Sequence, residues 1–178
     1  MKKTFGLMAI MAIAFTAFSA SAQCYVPQNT NCYQPVVNGN ETSWNCDTNS
    51  DNCNQQAFQC CNLPQIAQNF VNQYYTGEKI ATVKYDKKSG NKSEYKVKFA
   101  SGQEVTFDNK GNWKEIEAPY GYCIPDGIAP EFINKYLVNN FPTSGINELE
   151  KEGKGYEVGL TSGQGLLFSS NGTFVAVN

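Results

Sequence analysis

The fold of this chain is decided by Glu94–Trp113, which reads EYKVKFASGQEVTFDNKGNW. Its first half alternates the apolar residues Tyr95, Val97 and Phe99 with charged residues. This period of two is typical of a strand with one buried face. Two short polar turns, each containing a glycine, separate this run from two further strand-like runs. The stretch therefore predicts three antiparallel strands joined by tight turns.

The same pattern returns sixty-one residues later, at Tyr156–Phe174. Both copies keep the tripeptide Ser-Gly-Gln in the first turn, and both keep aromatic or aliphatic residues at the positions expected to be buried. The matching pairs are Tyr95/Tyr156, Val97/Val158, Gly102/Gly163, Gln103/Gln164, Phe107/Phe168, Gly111/Gly172 and Trp113/Phe174. The chain is therefore built on a duplicated unit.

A helix is predicted before each copy, beginning at Pro64 and at Pro130. Proline is favoured there because backbone N–H groups in the first turn of a helix have no intrahelical acceptor, so the N–H that proline lacks is not missed. Apolar residues at helical spacing follow each proline. They are Ile66, Phe70, Val71 and Tyr74 in the first helix, and Phe132, Tyr136, Leu137 and Phe141 in the second.

Four strands are predicted after each helix, joined by short polar loops as in an antiparallel meander. They are Ile80–Tyr85, Glu94–Ala100, Glu104–Asp108 and Trp113–Glu117, then Ile146–Lys151, Tyr156–Leu160, Gly165–Ser169 and Thr173–Val177. The predicted fold class is α+β, with two tandem repeats that each pack one helix on a four-stranded antiparallel meander.

Residues 1–22 have the composition of an export signal rather than of folded structure. Lys2 and Lys3 precede an apolar run, Gly6–Phe18, and small residues end at Ala22. The apolar run is too short to span a bilayer. The mature chain is therefore predicted to be periplasmic or secreted, with a net charge of −4 after the two N-terminal lysines are removed.

Seven cysteines in an exported chain indicate disulfides, because that compartment is oxidising. They are Cys24, Cys32, Cys46, Cys53, Cys60, Cys61 and Cys123. Residues 23–62 contain six of them, are rich in Asn and Gln, and lack periodicity, so we expect a loop-rich cap held by cross-links worth about 2–4 kcal/mol each. About a hundred pairings stay open. The odd cysteine allows three outcomes: a free thiol, a disulfide-linked dimer of an otherwise monomeric chain, or a lipid anchor at Cys24.

The chain contains neither arginine nor histidine. The missing histidine excludes Ser-His and Cys-His catalytic pairs and removes the commonest metal ligand. The missing arginine and the acidic balance argue against bidentate phosphate recognition and against nucleic-acid binding. Cys60-Cys61 has neither redox nor zinc-site spacing. We therefore predict a protein that is not an enzyme, with no catalytic residue, cofactor or metal.

The two copies differ at the strand positions that point away from the helix. The first copy has Lys96, Lys98, Glu104, Thr106 and Lys114, and the second has Glu157, Gly159, Gly165, Leu167 and Val175. Surface drift or local packing is one explanation, and a partner-binding patch is the other. Tyr120 and Tyr122 lie in the bridge, residues 118–129, where they are interface anchors or hinge packing. Trp113 and Phe174 are expected in the core.

Residues 63–178 resemble the PepSY-like periplasmic proteins, which are related in fold to the β-lactamase inhibitory protein. The resemblance rests on Leu63-Pro64, Phe70, Tyr74, Ile80, Tyr95-Lys-Val, Gly102, Phe107-Asp108, Gly111 and Trp113, and again on Pro130, Phe141-Pro142, Ile146, Tyr156-Glu-Val, Gly163, Phe168 and Gly172. It implies repeats at 63–117 and 130–178 whose sheets together form a concave surface. In the inhibitory protein that surface clamps an enzyme, and PepSY domains are thought to restrain peptidases or to act as sensors.

The functional expectation is an exported, non-catalytic protein-binding module that inhibits or regulates an envelope enzyme. Its partner, another envelope protein, would contact the sheet faces and the bridge between the repeats. The alternative is a periplasmic sensor that binds a small ligand in a cleft between the repeats.

Overall fold

The computed structural model describes residues 31–47, 54, 62–89, 92–153 and 155–178. Within these ranges ten strands form one antiparallel sheet in chain order, accompanied by two helices. The strands are β1 Asn31–Asn38, β2 Glu41–Asp47, β3 Ile80–Asp86, β4 Glu94–Phe99, β5 Glu104–Asp108, β6 Trp113–Glu117, β7 Ile146–Glu152, β8 Gly155–Leu160, β9 Gly165–Ser169 and β10 Phe174–Val177; the helices are α1 Gln65–Tyr74 and α2 Glu131–Asn140. The α+β class is confirmed.

The eight strands predicted from alternation and turns correspond to β3–β10, and their ends agree to within one residue. The turn glycines explain the accuracy of these ends. Gly102 and Gly163 both have positive φ angles, of 90° and 86°, in the left-handed region that other residues adopt at a cost. A turn of that kind stops a strand at a defined residue.

The expectation of a loop-rich N-terminal cap is wrong for residues 31–47. β1 and β2 form a hairpin, and β2 extends the sheet by pairing with β3 from Glu41 opposite Asp86 to Asn45 opposite Thr82. These strands are largely polar. Their pairing is made by backbone groups, so a search for alternating apolar side chains does not detect it. The edge of β3 therefore orders a segment whose sequence lacks a strand pattern.

The expected disulfides stay a prediction. Cys32 and Cys46 occupy opposite register positions in β1 and β2, and Cys123 is 8% exposed in the bridge. An intermolecular disulfide through Cys123 would therefore need local opening. The other cysteines and the predicted signal segment, residues 1–22, lie outside the described residues.

The two repeats share one sheet, whereas the resemblance implied a separate sheet for each. β6 pairs directly with β7, with Ile116 opposite Leu149. The bridge closes the same seam, because the Ala118 amide donates to the Asn147 carbonyl at 2.7 Å and the Ile124 amide to the Ile146 carbonyl at 2.9 Å. One continuous sheet therefore runs through both repeats.

A single row of side chains forms the centre of the core across seven consecutive strands. Each member is paired with the next in register and is fully buried, at 0% exposure. The row is Val83, Val97, Val105, Ile116, Leu149, Val158 and Leu166. The row has no gap where the repeats meet. Burial of apolar side chains therefore stabilises the β6–β7 seam as it stabilises the strand pairs within each repeat.

The helices contribute a narrower stripe to this core than the sequence predicted. In α1 the buried residues are Ala67 and Val71, whereas the predicted core residue Ile66 is 53% exposed. The small Ala67 lets the β5–β6 turn approach closely, because a Cβ at Gly111 would lie 2.8 Å from the Ala67 amide nitrogen. Ile66 lies beside the same turn, with its Cβ 3.2 Å from the position that a Cβ on Gly111 would take.

Candidate functional site

The face of the sheet opposite the core row is charged and polar in the first repeat and mixed in the second. Two register rows define it, and we call their twelve residues the open face. They are Lys96, Thr106, Glu115, Glu150, Glu157 and Leu167, and then Lys98, Glu104, Glu117, Glu148, Gly159 and Gly165. The residues predicted for partner binding on β8 and β9 thus lie on the same surface as the first-repeat charges.

On the first-repeat side of the open face the charges are compensated. Glu104 accepts a hydrogen bond from Lys98 at 2.5 Å and lies 3.1 Å from the Lys96 ammonium. Burial alone would raise the pKa of Glu104, but the two lysines lower it overall. Exposed pairs of this kind contribute roughly 0–1 kcal/mol each, so they neutralise the surface more than they stabilise it.

Five carboxylates cross the seam between the repeats on the same face. We call Glu115, Glu117, Glu148, Glu150 and Glu157 the carboxylate strip. Glu117 stands opposite Glu148, and Glu150 stands between Glu115 and Glu157. Like charges directly opposite each other on a sheet are destabilising.

The electrostatics of Glu117 reflect this crowding. Burial raises the pKa of Glu117, and a hydrogen bond shared with Glu115 raises it further, although the Lys96 ammonium lies 3.6 Å away. Within the described ranges, no group of three acidic or cysteine side chains is arranged to hold a metal ion. The strip presents negative charge spread across the seam.

The two open-face glycines have packing roles of their own. A Cβ on Gly159 would lie 2.8 Å from Glu148 Cβ, and one on Gly165 would lie 3.2 Å from Asn178 Cβ. The glycines therefore make room for a strip carboxylate and for the chain terminus. Leu167 is half-buried opposite Ala176, and Val175 is 62% exposed at a register shift in β10.

The two bridge tyrosines differ in exposure. Tyr120 is 91% exposed, whereas Tyr122 is half-buried and packs against the core. The Tyr122 amide donates to the Pro119 carbonyl at 2.9 Å, which forms the turn that presents Tyr120. Of the predicted pair, Tyr120 is thus the accessible side chain.

A cavity of about 360 Å³ lies beside α1, where the first repeat meets β7. Its lining combines three aromatic rings, two isoleucines, three amide side chains and one lysine. The lining residues are Ile66, Asn69, Phe70, Gln73, Tyr74, Gly111, Asn112, Trp113, Ile128 and Lys151. Trp113, which the sequence placed in the core, is half-buried and forms part of this wall.

Lys151 stands over Trp113, with Nζ 3.4 Å from the ring centroid. Desolvation lowers the pKa of Lys151, and the Asp108 carboxylate partly opposes that effect. Asp108 is itself engaged by its turn, since Oδ1 accepts the Lys110 and Asn112 amides at 2.8 Å each. Lys151 forms no ion pair within the described residues.

The cavity was missed from sequence, although a comparison of the two copies contained its signal. Lys151 stands where the first copy has Tyr85, and the second copy has Phe132 where the first has Ile66. Phe132 packs over the β9–β10 turn. Its ring carbons lie 3.0–3.3 Å from the position that a Cβ on Gly172 would take. At the corresponding turn of the first copy, Ile66 lines the cavity and is 53% exposed.

One protein family and several solved structures are similar to this chain. The profile of a family described as "Putative beta-lactamase-inhibitor-like, PepSY-like" matches residues 40–94 and 93–176. A solved "putative calcium-regulated periplasmic protein" from Bacteroides thetaiotaomicron is 31% identical, with a TM-score of 0.62, and the similarity covers 66% of this chain and 91% of that one.

Two solved structures from Bacteroides vulgatus are also similar. A "putative periplasmic protein" of the DUF2874 family is 28% identical over 66% of this chain and 91% of its own length, with a TM-score of 0.62. A "putative periplasmic protein of unknown function" is 30% identical over 65% and 91%, with a TM-score of 0.61. The chain has no match among curated proteins.

No helix in the described part of the chain is long and apolar enough to span a membrane. The family match covers most of the sequence, and its second segment, 93–176, contains both Glu94–Trp113 and Tyr156–Phe174. The chain belongs to the PepSY-like, β-lactamase-inhibitor-like family.

Proposed function

We propose that this protein is an exported, non-catalytic binding module whose open face docks a basic segment of another envelope protein. In this proposal each repeat acts as one helix laid on a four-stranded meander, α1 with β3–β6 and α2 with β7–β10. The relatives described as periplasmic support the location. Inhibition of an envelope enzyme is the form of binding that the family description favours.

The carboxylate strip carries the proposal. The pairing of Glu117 with Glu148 and of Glu150 with Glu157 places like charges side by side in the isolated chain. A partner that brings lysine or arginine side chains to the strip relieves that repulsion, and complementary charge increases both association rate and specificity. Tyr120, three residues beyond Glu117 and 91% exposed, supplies an aromatic anchor for the same contact.

Capture from an envelope extract tests the proposal. The test variant is Glu115→Gln/Glu148→Gln/Glu157→Gln, and the matched control is Glu41→Gln/Asp126→Asn/Glu131→Gln, which removes the same charge elsewhere. The wild type and the control should retain one partner, whereas the strip variant should lose it. Equal capture by all three proteins would contradict the proposal.

Two further arms sharpen this experiment. Leu167→Lys places a positive charge beside Glu157 and should abolish capture without changing the melting temperature; a loss of stability would instead assign Leu167 to packing. Added Ca²⁺ should weaken capture by screening the strip, which would extend to this chain the regulation named for the Bacteroides thetaiotaomicron relative.

A second candidate function is the small-ligand sensor, favoured by the cavity between α1 and β7. The cavity contains residues of the first repeat, the bridge residue Ile128 and the second-repeat residue Lys151. A ligand held there would contact both repeats at once. This candidate is tested by a ligand-dependent rise in melting temperature in the absence of any protein partner.

A further inference from the structure

We propose that the cavity beside α1 binds a small organic carboxylate with an apolar or aromatic body. This inference rests on the sensor candidate and deepens it by naming the ligand class. The cavity volume of about 360 Å³ falls in the range of small-molecule sites, which are roughly 300–1,000 Å³ and mostly apolar with a few polar groups.

The apolar body of the ligand is specified by the walls. Phe70 and Tyr74 project from α1 one turn apart, with ring centroids 4.8 Å from each other, and Trp113 faces them from the start of β6. Ile66 completes the wall on the same helical face. At 53% exposure it is one of the few large apolar side chains that the described structure leaves in solvent. A planar or aliphatic group in the cavity would cover it.

The carboxylate is specified by Lys151. Five other lysines in the described part of the chain each lie within 3.1 Å of a carboxylate oxygen; they are Lys84, Lys88, Lys96, Lys98 and Lys114. Lys151 instead lies over the Trp113 ring, partly desolvated and without an ion pair among the described residues. A ligand anion paired with the Lys151 ammonium would offset the free-energy cost of its desolvation, because a nearby opposite charge favours the charged form that burial disfavours.

The amide side chains orient such an anion. Asn69 and Gln73 are four residues apart and so share one face of α1. Asn69 Oδ1 already accepts a hydrogen bond from Gln65 Nε2 at 2.9 Å, which turns the Asn69 NH₂ group into the available donor of that amide. One ammonium and two amides match a monoanion. A phosphate dianion usually recruits further cations or a bidentate arginine, and this chain contains no arginine.

The duplication gives independent support, because each of the cavity's two distinguishing residues differs from its counterpart in the other copy. Phe132 occupies the place of Ile66, and the position of Lys151 is the aromatic Tyr85 in the first copy. The core requirement shared by both copies therefore explains neither Ile66 nor Lys151. Ile66 and Lys151 both line the cavity at the junction where the repeats meet.

Titrations followed by ¹H–¹⁵N chemical shifts test the inference on the intact mature protein. The probes are indole-3-acetate, benzoate and octanoate, with indole-3-acetamide as the neutral match and tryptamine as the cationic one. At least one carboxylate should shift the amides of Asn69, Gln73 and Trp113, and indole-3-acetamide should bind at least about ten-fold more weakly than indole-3-acetate. Tryptamine should not bind.

Two variants and one control locate the effect. Lys151→Met should reduce the affinity for the carboxylate to that for the amide, and Lys135→Met on α2 should change nothing. Ile66→Phe copies the second repeat and should abolish binding of every probe while leaving the fold intact. If Lys151→Met fails to fold, Ile66→Phe and the acid–amide comparison still decide the question.

The outcomes separate this inference from its parent function. Equal affinity for acid and amide, or a preference unaffected by Lys151→Met, would overturn the assignment of a carboxylate while leaving a ligand-binding cavity. Absence of binding by all probes at millimolar concentration would overturn both the carboxylate assignment and the small-ligand sensor candidate. Neither result bears on protein capture by the open face, which lies on the other side of the sheet.

Discussion

Glu117 and Glu148 face each other across the pairing of β6 with β7, beside the buried pair of Ile116 and Leu149. The seam between the repeats thus has two characters. Its core side continues the apolar row without a break, and its solvent side places carboxylate against carboxylate. The fold accounts for the first feature, whereas the second adds repulsion that the fold does not require.

The sign of the charge effect on the open face should reverse between neighbouring strands. Glu117→Gln should stabilise the protein at pH 7, because the environment of Glu117 raises its pKa and so disfavours its charged form. Glu104→Gln should destabilise it, because the lysines around Glu104 lower its pKa overall. We expect changes of about 0.5 kcal/mol in each direction, measured by urea denaturation.

The pH dependence provides the control for this pair. Because the folded-state pKa of Glu117 is raised, full stability is present below the reference value of 4.5, where Glu117 is protonated as Gln would mimic, and stability is lost as pH rises and the side chain becomes charged. A lowered pKa means that the Glu104 contribution is present above 4.5 and is lost as pH falls. Both substitutions should therefore become neutral at low pH. Changes of the same sign at pH 7 would refute the charge assignment.

Two glycines with the same backbone conformation should differ in their tolerance of a methyl group. Gly77 has φ +84° and nothing within 4 Å of the position that a Cβ would take, so Gly77→Ala should cost only the roughly 1–2 kcal/mol of a left-handed alanine. Gly111 has φ +92°, and its Cβ would lie 2.8 Å from backbone in α1. Gly111→Ala should therefore lose at least about 1 kcal/mol more, typical of overpacking, in the same denaturation assay. Equal losses would contradict the close approach of the β5–β6 turn to α1.

Leu149→Ala should weaken both repeats, although Leu149 belongs to the second. The residue is 0% exposed and paired with Ile116, so its truncation should cost about 2–5 kcal/mol. Native-state hydrogen exchange should show comparable loss of protection for Val97 in β4 and Val158 in β8. The exposed Val138→Ala on α2 is the control and should have little effect. Loss confined to β8 would mean that the repeats are stabilised separately.

Alternation and turn glycines were sufficient to place β3–β10, because those signals are local. Tyr156–Phe174 repeated Glu94–Trp113, so each copy supported the assignment of the other. The pairing of β6 with β7 was not predictable in this way. It depends on a register between strands separated by the bridge and α2, and a connection of that length fixes no register by itself.

The candidate sites likewise divide into features that local sequence signals predicted and features that depend on three-dimensional packing. Face assignments on β8 and β9 followed from the period of two, so Glu157 and Leu167 were correctly placed on one surface. The cavity depended on side-chain volume and on the close approach of Gly111 to the α1 backbone at Ala67. Helical spacing alone put Ile66 in the core because spacing cannot distinguish the centre of an apolar stripe from its edge.

Site-specific photo-crosslinking in the native envelope tests the central claim most directly. A photoreactive residue placed at Glu157 or Leu167, on the open face, should produce one discrete adduct with a protein partner. The same residue at Val138, which is 71% exposed on α2, should produce none. Adducts at Val138 but not at the open-face positions, or no adduct at either open-face position, would contradict the claim that this face binds a protein.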